Sequence, residues 1–166
     1  MSDVADVAGV GRATLYRYFP NRQVLLAEVA EFAVVQVSER LQSARIDEVE
    51  VEEGVRRAVR AAVDVGDSFI VLARAQGQPG SRRLEGTIAG PIQRLFERGQ
   101  STSAIRGDVP SSWLTDLLVS HVVTALSAQP AFGHDDVIEM VTSLFLDGAR
   151  AGAQMPSTRA RASPQG

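Results

Sequence analysis

The residues best suited to chemistry lie close together near the start of the chain. Arg12, Arg17 and Arg22 alternate with Tyr16, Tyr18 and Phe19, and no acidic residue falls between Val7 and Ala27. Guanidinium and phenol groups spaced along one short helix hydrogen-bond phosphates and base edges of duplex DNA. The charge has to be local, because the chain as a whole carries a formal net charge of −3 and is no general nucleic-acid binder. Residue types alone leave a second reading open: an ordinary helical hairpin with an arginine-rich, solvated face.

Other chemistries find less support. Gly9-Val-Gly-Arg-Ala-Thr begins like a dinucleotide-binding loop, but the third glycine is missing and no strand precedes it. His134-Asp135 resembles half of a metal phosphohydrolase site, yet the chain has only two histidines and the pair reads better as the start of a helix. The absence of cysteine excludes disulfides, thiolate metal sites and cysteine nucleophiles. No catalytic pair emerges, so the expectation is a protein that is not an enzyme and uses no cofactor or metal. Trp113, Leu117, His121 and Thr124 place polar atoms along an apolar helix, as a ligand pocket needs and as a satisfied core histidine equally explains. Phe69, Leu72, Phe96, Trp113 and His121, each on an apolar helical face, are the pocket candidates.

The elements that must position these residues are all helical in period. Hydrophobic residues make up 45% of the chain and aromatics only 5%, so the core is aliphatic. All seventeen basic residues are arginine, a bias expected of a GC-rich bacterial genome. A short helix from Val4 ends at Gly9, a second spans Arg12 to Phe19, and Pro20-Asn21 separates it from a long helix over Arg22 to Gln42. The acids between Asp47 and Glu53 fit a helix start, where they favour the positive end of the dipole, with Glu52 and Glu53 four residues ahead of Arg56 and Arg57. Further helices are expected over Ser68 to Ala75, Thr87 to Gly99 (bent at Pro91), from Ser111 or Ser112 to Leu126, and after Asp135 or Asp136. Residues 77–83 read as a loop and 154–166 as a disordered tail. Gly148 and Gly152 suggest close packing or a helix ending. No run approaches the length of a membrane span and the N-terminus has no signal-like core, so a cytoplasmic protein is expected.

In a helix-turn-helix, Ala5 would be the small residue at the crossing, Gly9 the residue of positive φ, and Val4, Ala8, Val10 and Leu15 the glue. The stretch Val4-Ala-Asp-Val-Ala-Gly-Val-Gly-Arg-Ala-Thr-Leu-Tyr-Arg-Tyr-Phe-Pro-Asn-Arg-Gln-Val-Leu-Leu26 resembles the DNA-binding signature of the TetR (tetracycline repressor) family. The resemblance covers residues 1 to about 30. It places Arg12, Ala13 and Thr14 where a recognition helix meets bases and phosphates, and Tyr16 at a phosphate-contacting position flanked by Arg17 and Tyr18. Arg22 stands where lysine is common, Gly11 where serine is a frequent cap, and Ser2 joins the expected DNA contacts from the first helix.

What the resemblance implies is an all-α protein in two parts: an incomplete helix-turn-helix head with its connecting helix (residues 1–43) and a ligand-binding and dimerisation body (44–153). A helix that the family places ahead of the pair has no counterpart in this sequence. The partners implied are a double-stranded DNA operator, a small-molecule effector and a second copy of the chain, paired through the last two helices. Leu118, Val122, Val141, Leu144 and Phe145 are the candidate dimer contacts, because those helices carry more apolar surface than one stripe needs. The expected function is a transcriptional regulator, a repressor released by a small molecule. Two readings stay open beside it: a truncated subunit that dimerises with a full-length regulator and interferes with it, and a helical small-molecule binder with no DNA role.

Overall fold

A computed structural model describes residues 1–74, 85–128 and 132–152. Its regular elements are all helical: α1 (Ser2–Ala8), α2 (Arg12–Tyr18), α3 (Arg22–Ala44), α4 (Val51–Val63), α5 (Asp67–Arg74), a π-helical turn (Glu85–Ala89), α6 (Gly90–Ser101), α7 (Ser111–Ser127) and α8 (His134–Ala149). The one extended pairing among the described residues is an isolated bridge between Ile105 and Arg150. The all-α expectation therefore holds. The expected loop at 77–83 and tail at 154–166 lie outside the described residues.

Helix α3 joins the two parts. At about 1.5 Å per residue its 23 residues span roughly 34 Å. Its buried positions, Ala30, Ala33, Val34, Val37, Ser38 and Leu41, fall in the later two-thirds and face the body. Helix α4 lies against α3, α6, α7 and α8 and buries eight of its thirteen residues. Small side chains make this possible, with Gly54, Ala58, Ala61 and Ala62 all buried. Val55, Val59, Phe96 and Ile138 are fully enclosed. The Phe96 and Phe145 rings meet at 5.4 Å between centroids, within the range of favourable aromatic pairs.

Two polar devices fix the connections. Arg98 of α6 donates to the carbonyls of Ile46 (3.0 Å), Val49 (2.6 Å) and Asp47, which holds the α3–α4 loop onto α6. That loop leaves α3 through Arg45 at φ 48, so the clamp stabilises a turn whose backbone is locally unfavourable. Gln100 donates to the carbonyls of Arg106 (2.9 Å) and Val109 (2.7 Å) and closes the α6–α7 connection in the same way.

Several sequence-based details change. The irregularity expected at Pro91 falls where the π-helical turn passes into α6, with Pro91 in the first turn of that helix. Helix α7 begins after Pro110 without a serine cap, and Ser111 Oγ bonds Glu97 at 3.3 Å instead. Asp136 accepts from the Gly133 N–H at 3.2 Å, so it serves α8 from the third helical position rather than as the cap residue. Glu53 pairs with Arg57 at 2.8 Å as the spacing suggests, but Glu52 reaches Arg150 at 2.8 Å and not Arg56. The Arg150 guanidinium hydrogen-bonds the Glu52 carboxylate and holds its pKa below the ordinary glutamate value. Of the two readings of Gly148 and Gly152, the helix ending is the one observed: α8 stops at Ala149, and Gly152, at φ 104, lies just beyond it.

Gly99 offers a direct test of the packing. A Cβ there would lie 2.5 Å from Ile105 Cγ1 and 2.9 Å from Val51 Cγ1. Ile105 is fixed by its bridge to Arg150, so it cannot simply withdraw. Alanine gains up to about 1 kcal/mol in helix propensity, but overpacking costs about 1–3 kcal/mol. Gly99→Ala is expected to lower the melting temperature measured by circular dichroism, and an unchanged or raised value would contradict this packing.

Candidate functional site

Helices α1 and α2 form a tight pair. Helix α1 ends at Gly9, whose φ of 66 lies in the left-handed region, and the N–H of Val10 returns to the Ala5 carbonyl at 3.0 Å. A side chain at Gly9 would be strained by the backbone itself. Ala5 is fully buried where the helices cross. Gly11 enters α2 in an extended conformation with no side-chain cap. Leu15 is buried on the inner side of α2 and Phe19 is half-buried. Asn21 then caps α3, its Oδ1 accepting from the Val24 N–H at 3.0 Å.

With Leu15 turned inward, α2 presents its polar residues outward. Arg12, Ala13, Thr14, Tyr16, Arg17 and Tyr18 are all exposed, as is Arg22 at the start of α3, while Ser2 is half-buried at the start of α1. The Arg17 guanidinium lies over the Tyr18 ring, 5.1 Å from its centroid, and its Nη2 is 3.4 Å from the Tyr18 hydroxyl. The electrostatics separate this surface from the body. In the body Arg56, Arg57, Arg60, Arg106 and Arg150 each pair with a carboxylate. In the head, Arg12, Arg17 and Arg22 have no acidic partner among the described residues. All seven outward-facing residues of the sequence reading are thus exposed, and Arg17 and Tyr18 are brought into direct contact.

The body candidates fare less evenly. Phe69 lines a small apolar cavity of about 10 Å³ with Val37, Leu41, Val59, Ile88, Ile92 and Leu118 among its walls. Phe96 is buried in the core but is not one of the cavity's walls. The side chain of Leu72 lies outside the described residues. Trp113 is 65% exposed and does not face the interior. His121 is exposed too; its Nδ1 is 2.7 Å from the Leu117 carbonyl and its ring meets the Phe145 ring edge-on at 6.0 Å. The four described candidates therefore do not form one pocket. Of the dimer candidates, Leu118, Val122, Val141 and Phe145 are buried in the chain's own core and closed to a second copy, and Leu144 alone is exposed. The reason is that α7 is apolar on adjacent faces. Leu114, Leu118 and Val122 turn inward, while Trp113 and Leu117 turn outward. Helical period identifies both faces without saying which one the body covers.

With this geometry in hand, similarity to known proteins becomes informative. Residues 1–29 match the family model described as bacterial regulatory proteins, tetR family. Those residues carry the DNA-binding signature of the tetR family. A stretch of 66 residues, 40% of the chain, is 33% identical to the HTH-type transcriptional repressor LfrR of Mycolicibacterium smegmatis. That stretch spans 35% of the LfrR sequence, about a third of its length. The fold agrees over a longer span. The crystal structure of TetR-like LfrR from Mycobacterium smegmatis in complex with proflavine matches with a TM-score of 0.69 at 20% identity, covering 88% of this chain and 82% of that one. The TetR-family regulator PfmR from Thermus thermophilus matches at 0.63 and 17% identity, over 87% and 86% of the two chains. The sequence match and the cationic pair coincide at the TetR head, and the structural matches extend the TetR-like fold through the body.

The Asn21 cap was legible as an N-cap residue ahead of a long apolar helix, although Pro20-Asn21 reads first as a break. Removing an N-cap side chain costs about 1 kcal/mol. Asn21→Ala is expected to reduce stability toward urea by about that amount, and Asn21→Asp to leave it nearly unchanged. Equal losses in both variants would show that the cap bond is not what holds this corner.

Proposed function

We propose that this chain is a ligand-responsive DNA-binding transcriptional regulator of the TetR family, a repressor released by a small molecule, acting in the cytoplasm as a homodimer on a double-stranded operator. The head comprises residues 1–43, and the body, residues 44–153, binds the effector and the second copy. The observation that carries this reading is the outer face of α2: Arg12, Thr14, Tyr16 and Arg17 exposed on a helix whose inner side is anchored by buried Leu15. Unneutralised guanidiniums beside phenols suit phosphate contact and base readout in a major groove. The naming of LfrR as a repressor, and its structure with proflavine, support the repressor and small-molecule parts. No helix among the described residues is long and apolar enough to cross a membrane.

In this reading two heads enter successive major grooves only when held about 34–36 Å apart, or a multiple of that. An effector that binds better to a body conformation with another spacing lowers DNA affinity by its differential binding energy. A second reading, a subunit that pairs with a full-length regulator and interferes with it, draws on Val4 and Val10. Both are 41% exposed, so the apolar side of the head is partly open. Gel-shift binding by the purified homodimer separates the two, since an interfering subunit shifts no DNA.

Variants test the DNA surface. Tyr16→Phe and Arg22→Ala should weaken binding by similar factors on every sequence, as loss of phosphate contacts does. Arg12→Ala should also relax preference at one base pair by about 1–3 kcal/mol. Fluorescence anisotropy on matched and substituted duplexes reads both effects, and unchanged affinity in all three variants would remove α2 from the groove.

The exposed apolar residues of α7 and α8 are the proposed dimer face. Trp113 is 65% exposed, Leu117 41% and Leu144 62%. Leu117→Glu and Leu144→Glu should each yield folded monomers by sedimentation, because a charge buried at the seam lacks a partner. Leu118→Glu, in the core, should abolish the cooperative melt instead. Dimers persisting in both surface variants would place the interface elsewhere.

A further inference from the structure

Glu52, Arg56, Arg60 and Asp64 recur at every fourth residue along α4, closing with the residue that caps its end. Each forms a rung to α8 or to the residue that ends it. Glu52 bonds Arg150 at 2.8 Å, Arg56 bonds Glu139, Arg60 bonds Asp135 at 2.9 Å, and Asp64 Oδ1 meets His134 Nε2 at 2.7 Å. The last rung differs from the others. Asp64 Oδ2 also faces Arg40 Nη1 of α3 at 3.8 Å. One carboxylate therefore meets both the helix that carries the head and the first residue of α8.

The surroundings leave α3 room to respond. Between α3 and α4 on this side runs an open groove of about 640 Å³, lined by Gln36, Glu39, Arg40, Arg57, Arg60 and Asp64. At its far end Arg57 donates to the Ala44 carbonyl at 2.8 Å. On this side the two helices are tied by polar contacts at the groove's ends, while Val37 and Leu41 pack near Ala58 and Ala62 on the inner side. Those polar contacts can lengthen or shorten without disturbing packed side chains.

We propose that Asp64 is a positioning residue that adjusts the angle of α3 to the body within the range its core packing on α4 allows, and that His134 and Arg40 compete for its carboxylate. When His134 is neutral, its Nε2–H tautomer donates to the carboxylate without neutralising it, and Arg40 supplies the ion pair. Once protonated, His134 takes a larger share of the carboxylate charge and the Arg40 tie loosens. The charges around His134 act on it in opposite directions. Asp64 on α4, with Asp135 and Asp136 on its own helix and Glu39 on the groove wall, favours the cation. Arg40 on α3, Arg60 on α4 and the N-terminal end of the α8 dipole oppose it. Linkage makes the competition reciprocal: whatever loosens Arg40 on protonation must itself resist protonation. These side chains are a third to a half exposed, so the coupling is modest and salt-sensitive. Its consequence for operator spacing rests on the DNA-binding reading above; the coupling itself does not.

Two measurements on the intact chain test it without DNA. The chain has two histidines, so His134 can be followed by NMR with His121 as an internal reference. Asp64→Asn is expected to lower the His134 titration midpoint by several tenths of a pH unit and Arg40→Gln to raise it. Arg45→Gln, which breaks only the separate pair with Glu48, should leave it in place. The absence of cysteine allows clean spin labelling at Ala27→Cys on α3 and Arg94→Cys on α6, diluted with unlabelled chain. The interspin distance should shift between about pH 5 and about pH 8, spanning histidine titration, and Asp64→Asn should abolish the shift. A His134 midpoint indifferent to Arg40→Gln, or a distance that does not change with pH in the parent protein, overturns the proposal. If both effects appear while the homodimer shifts no DNA, the coupling stands and the regulatory reading falls.

Discussion

The structure depends on how closely α4 can be approached. A helix surrounded by α3, α6, α7 and α8 must present small residues wherever a neighbour comes near. Gly54 sits against Leu95 and the Ile46 carbonyl, with no room for a Cβ. Ala58, Ala61 and Ala62 continue that allowance while Val55 and Val59 fill the remaining volume. Because α4 is fixed in this way, the α3–α4 loop must turn sharply at Arg45, and the Arg98 clamp secures that turn. The direction of α3, and with it the placement of the head, follows from packing on α4.

The helices were legible because their period and punctuation agree. Gly9, Pro20-Asn21, Gly107-Pro110 and Gly133 each interrupt an apolar repeat and mark a boundary close to an observed one. The head was the most legible part, since its function is local: one buried leucine, one left-handed glycine and an outward polar face lie within ten residues. The body was less so. Which of the two apolar faces of α7 turns inward depends on neighbours more than twenty residues distant, and helical period carries no such information. Sequence reasoning consequently assigned Leu118 and Val122 to an interface and Trp113 to a pocket, whereas the first two are buried in the core and Trp113 is exposed. The pairing of Glu52 with Arg150 was equally hidden, because a local partner at Arg56 was available on paper.

Charge is distributed according to the task of each part. In the body, carboxylates neutralise guanidiniums along helix seams, where an ion pair fixes register more than it adds stability. In the head the same side chain is left without a carboxylate counterion among the described residues. An arginine-only composition suits both uses, since the planar fork can bridge two helices or a phosphate with equal geometric definition.

The outward turn of Trp113, Leu117 and Leu144 has a consequence for behaviour in solution. A folded chain whose apolar face is covered by a second copy gains stability by mass action, so its unfolding equilibrium depends on how much of it is present. With the proposed dimer, the uncovered form would predominate at low abundance, with a tryptophan and two leucines in water and a larger unfolded fraction open to proteolysis. The cellular amount of such a protein would then be self-reinforcing. Newly made chains survive best when others are already present to receive them.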